Sequence, residues 1–78
     1  MKAAEEDGFI VYVYPEYGSK HHWPHCHVRW NENTTVVILP SLRVMAGPVL
    51  PRKGKKVIEK HIDDIWDSWF RLNSEEGE

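Results

Sequence analysis

The sequence predicts an α+β domain: a small antiparallel sheet of three to four strands covered by one C-terminal α-helix, in the order β-β-β-(β)-α. Three observations carry this. Short runs of β-branched and aromatic residues, separated by Pro, Gly and Asn, fill residues 9–46. From Pro51 the spacing of apolar residues changes to three and four. A chain of 78 residues has room for one core only.

The first strand is Phe9-Ile10-Val11-Tyr12-Val13-Tyr14, apolar without alternation and ended by Pro15, a pattern expected of a strand buried on both faces. Glu16 to Pro24 reads as a loop turning at Gly18-Ser19. His25 to Trp30 alternates: Cys26, Val28 and Trp30 share one face, and His25, His27 and Arg29 the other. Asn31-Glu32-Asn33 is a hairpin turn, Thr34–Leu39 a third strand and Leu42–Met45 a short fourth, ending at Gly47-Pro48. Val57, Ile58, Ile62, Ile65, Trp66, Trp69 and Phe70 then mark one helix over most of residues 55–72, with Gly54 fraying its first turn. The tryptophans and Phe70 are expected as the helix-to-sheet core.

The ends differ from the body. Residues 1–7 carry Lys2 against Glu5, Glu6 and Asp7, and residues 74–78 carry Glu75, Glu76 and Glu78. Both read as acidic tails, leaving 8–73 as a single, mildly basic domain inside a chain of net charge −2. The acidic N-terminus lacks the apolar stretch of a secretory signal. No run approaches the roughly 18 apolar residues of a membrane span. Cys26, the only cysteine, suits a reducing compartment. A cytoplasmic protein is expected, with no membrane partner.

Two clusters can carry chemistry. Four of the five histidines lie within His21–His27. His25 and His27, two apart on a strand, project side by side, and a loop histidine can fold back to join them. Three imidazoles so arranged can bind zinc or another divalent metal with one position left for water. Without metal, the same rings can serve as general acid and base in phosphodiester cleavage. The third reading is a polar strand face bonded to backbone and water.

The second cluster is Arg52-Lys53-Gly54-Lys55-Lys56, where the helix begins. Cations there oppose the helix macrodipole at about 0.3–1 kcal/mol each. Lys53, Lys55 and Lys56 are therefore candidates for contacting an anion, including weak contact with nucleic acid, against the simpler reading of a solvated basic turn.

On these residues the chain resembles a widespread bacterial family of short proteins known as a domain of unknown function. The matches are Phe9–Tyr14, then His21, Pro24, His25, His27 and Val28 in a His-x-x-Pro-His-x-His pattern, then Val36–Pro40, and finally Trp69. They span nearly residues 8–73. Trp23-Pro24 replaces the family's usual Pro-Pro, His22 falls at a variable position, and Pro48–Lys56 is more proline-rich and basic than is typical. The resemblance implies His21, His25 and His27 as the residues to carry over. It also implies a protein partner encoded next door, in a toxin–antitoxin-like pair.

The expectation for function is an interaction module, binding a protein partner or a second copy of itself through a sheet edge or an exposed sheet face. The alternative is a small nuclease or metal-dependent hydrolase using His21, His25 and His27.

Overall fold

The computed structural model describes residues 1–15 and 23–73. Among them the chain runs β1 (Lys2–Glu6), β2 (Phe9–Tyr12), β3 (His25–Trp30), β4 (Asn33–Ile38), β5 (Val44–Ala46), α1 (Arg52–Lys60) and α2 (Ile62–Asn73). The five strands form one antiparallel meander in chain order, with both helices on one face. The α+β class is as expected, with one strand and one helix more than the sequence announces.

The extra strand lies in the segment expected as an acidic tail. Asp7 and Gly8 both take positive φ, 53° and 83°. A two-residue turn of this kind has the twist that closes a tight hairpin, and it folds Lys2–Glu6 back onto Phe9–Tyr12. Glu6 then fixes β1 to the helices. Its carboxylate accepts a bond from Lys60 Nζ at 3.0 Å and from His61 Nε2 at 2.8 Å. These bonds, His61 first, hold the Glu6 carboxyl below its usual pKa. His61 also explains the extra helix. It leaves helical geometry (φ −108°, ψ 22°), breaking the expected single helix into α1 and α2, and its ring meets Glu6.

Register sorts the side chains. Val11, Val28 and Thr35 form one cross-strand row, and Cys26, Val37 and Val44 another, on the helix side. Phe9, Val11, Val13, Cys26, Val28, Val37 and Leu39 close over Leu50, Val57, Ile58, Ile65 and Trp69 to make the core. β2 is therefore not buried on both faces: Val11 and Val13 are buried, while Ile10 and Tyr12 are half-buried. The continuous apolar run conceals an alternation because the second face is lined by aromatics.

Two glycines answer to packing. Gly54 lies within α1 and is buried, so it marks no frayed turn. A Cβ there would sit 2.7 Å from Leu50 Cδ1 and 2.9 Å from Phe9 Cε1, so its bareness lets α1 approach β2. Gly47, at φ 95°, backs onto β4, where a Cβ would overlap the Thr34 carbonyl oxygen. Nearby, the Thr35 hydroxyl donates to Pro48 O at 2.7 Å, fixing the crossing from β5 towards α1.

Candidate functional site

The other face of the sheet carries no helix. Across it runs a row of Lys2, Tyr12, His27, Val36 and Ala46, flanked by His25 with Ile38 on one side and Ile10 with Arg29 and Thr34 on the other. The alternation read from His25–Trp30 is observed for His27 and Arg29, whereas His25, at the start of β3, is buried with its ring against Trp69 of α2.

The imidazoles of His25 and His27 lie 5.4 Å apart between ring centres. Tyr14 stands edge-on to His27 at 4.8 Å, and Trp69 lies 5.2 Å from His25. His25 is buried and its Nδ1 lies 2.7 Å from the Trp23 carbonyl oxygen. A carbonyl only accepts, so Nδ1 carries the proton and donates, and in the neutral ring the lone pair is on Nε2. His21, expected to join the pair, lies outside the described residues. Among the described residues no group of three or more His, Cys, Asp and Glu side chains is placed to hold a metal ion. Cys26 is buried on the helix side, where burial pushes its thiol up to about 12. A thiol so raised is neither a ready nucleophile nor a ready ligand.

The same bond has a second effect. With His25 holding the Trp23 carbonyl and Leu39 N donating to Pro24 O at 2.9 Å, the Trp23-Pro24 segment is pinned beside the end of β4. There the Trp23 side chain, 65 % exposed, forms one wall of a groove of about 280 Å³, with Ile38, Ser41 and Arg43 as the others. Sequence reading missed this groove. Its signal was a tryptophan, Trp23, two residues before a histidine able to anchor it.

Arg52, Lys53, Lys55 and Lys56 are all exposed on the first turns of α1. Pro51 caps that helix without a side-chain bond, and no acidic residue sits in the first turn. Lys60, one turn further along α1, is committed to Glu6. On α2 Trp69 is buried and Trp66 half-buried, but Phe70, expected in the core, is 60 % exposed and stacks on Trp66. Its position falls one step past the face that meets the sheet.

A five-stranded meander with one helical layer, bearing two neighbouring histidines on β3, defines a small α+β domain whose distinguishing marks lie on that strand. The chain belongs to the family described as a domain of unknown function (DUF4160), whose model matches residues 8–69. β1 lies outside the matched residues. Neither a curated protein nor a solved structure matches the chain. Among the described residues no helix is long and apolar enough to cross a membrane.

Proposed function

We propose that this protein is a non-enzymatic interaction domain, the partner-binding member of a toxin–antitoxin-like pair. The observation that carries the reading is the groove of Trp23, Ile38, Ser41 and Arg43, where the end of β4 meets the turn into β5. Apolar walls with one guanidinium suit an apolar side chain of a partner next to a carboxylate. The sheet edges suit a partner less. β1 and β5 each carry a bulge, at Ala3 and at Met45, and bulged edges resist the addition of a further strand. Of the two expected routes, the edge is the less favoured, and the groove at the β4–β5 turn takes its place. Lys53, Lys55 and Lys56 take a supporting role in this reading, steering an acidic partner towards the domain.

The product of the neighbouring gene is the partner to test. Trp23→Ala and Arg43→Glu are each expected to weaken its binding at least about tenfold, as central aromatic and arginine contacts do. Both leave the thermal melt unchanged, because both side chains are exposed. A Lys53/Lys55/Lys56 triple alanine is expected to slow association and flatten its salt dependence. Wild-type affinity in both groove variants would remove the proposal.

The His25 tautomer favours a second reading, the small nuclease or metal-dependent hydrolase. A ring whose Nδ1–H is held by a carbonyl presents Nε2 as a ligand or a general base. His25 and His27, with His21, would then hold zinc or a similar divalent ion. Melts in zinc, nickel and manganese against a chelator decide the metal form of this reading. Stabilisation that fades in acid, as the imidazoles protonate, is its signature. No shift with any of the three metals rejects it.

A further inference from the structure

Away from the groove at Trp23, α2 carries an apolar surface without a function. Ile62, Trp66 and Phe70 recur every four residues along α2, at the border of its buried face. The last two rings stack 5.2 Å apart, inclined by 16°, and Phe70 is the most exposed aromatic on either helix. Asp63, Asp67 and Arg71 recur at the same interval along the outer flank of this stripe, all exposed. Arg71 already reaches Asp67 at 3.0 Å within the helix.

We infer that two copies of this chain associate through α2, packed antiparallel about a two-fold axis at Trp66. The charges choose the occupant. In an antiparallel pair, Ile62 of one copy lies opposite Phe70 of the other, and each outer flank faces its own equivalent. The acidic start of that flank, Asp63, then meets its basic end, Arg71 of the second copy, on both sides of the axis. The flank is thus complementary to itself at both ends when reversed, with Asp67 near the axis held by its own Arg71, and is repelled by itself along its whole length when parallel. The helix macrodipoles are opposed in the same arrangement, which adds to the preference.

The association is weak. Covered aromatic rings contribute about 150–250 Å² each, and Trp66 is already half-buried, so four rings bring the total to the low end of, or below, the roughly 1,200–2,000 Å² of stable interfaces. Self-association is therefore expected at a Kd on the order of 10–500 μM.

Sedimentation velocity from about 10 μM to 1 mM spans that range. The wild-type chain is expected to pass from monomer to dimer across it. Phe70→Glu, at an exposed position, should keep the wild-type melt and weaken the dimer at least about tenfold. Arg71→Asp should weaken it as well, and Asp63→Arg combined with Arg71→Asp should restore it, because the exchange regenerates the pairing with its signs reversed. Trp23→Ala should leave the dimer unchanged, which separates this surface from the partner groove. A chain that stays monomeric at 1 mM overturns the inference, and so does a dimer indifferent to Phe70→Glu. Failure of the charge exchange to restore association, or loss of the dimer in Trp23→Ala, does the same.

Discussion

Trp69→Ala is expected to unfold the domain. Trp69 is only 6 % exposed and closes the core between α2 and the sheet, where it also meets the ring of His25. One turn on, the Asn73 side chain donates to Trp69 O and to Tyr14 O, so the same stretch of α2 is tied to the end of β2. Truncating a buried tryptophan costs about 3–5 kcal/mol, from lost transfer energy and the cavity left behind. A small domain has about 5 kcal/mol to lose, near the bottom of the usual range of about 5–15 kcal/mol. Far-UV circular dichroism during a urea titration should show no folded baseline. The adjacent Phe70→Ala is the control: at an exposed position it should change stability by less than about 0.5 kcal/mol. A cooperative, near-wild-type transition for Trp69→Ala would mean that α2 does not cover the core.

Gly47→Ala is expected to cost about 2–4 kcal/mol, more than its conformation alone explains. Gly47 and Gly8 both hold positive φ, 95° and 83°, so alanine pays a backbone penalty of about 1–2 kcal/mol at either. Space separates them. A Cβ at Gly8 meets nothing within 4 Å, whereas at Gly47 it would overlap the Thr34 carbonyl and stand 3.0 Å from Thr35 Cα. Backbone atoms of a paired strand cannot step aside as a side-chain end can. The two variants measured side by side isolate the steric part, and equal losses would show that β5 yields freely.

The sequence made the core strands and the amphipathic stripe legible because their signal is burial, and burial writes itself as apolar spacing. The outward placement of His27 and Arg29 was legible for the same reason, whereas the burial of His25 against Trp69 was not. The first strand was not, since Lys2-Ala3-Ala4-Glu5-Glu6 has no β signature of its own. It is recruited by the Asp7-Gly8 turn and held by Lys60 and His61, 54 and 55 residues away in sequence. The helix break was hidden likewise, falling at His61, whose ring makes a tertiary contact with Glu6. Phe70 was misread because spacings of three and four admit residues just beyond the buried arc. Trp23 could not be placed from its neighbours, because its position depends on a side-chain bond from His25 and a backbone bond from Leu39.

The lone cysteine has a consequence for anyone handling the protein. Cys26 is buried at the centre of the sheet's inner face, paired across to Val37, with its thiol pushed up to about 12. An alkylating reagent needs a thiolate it can reach, and the closed molecule offers neither the ionisation nor the access. Each labelled molecule has therefore come open at least once. With one such sulfur per chain and no other thiol to confuse the count, the mass added over time is a clock for how often the closed sheet parts from its helices.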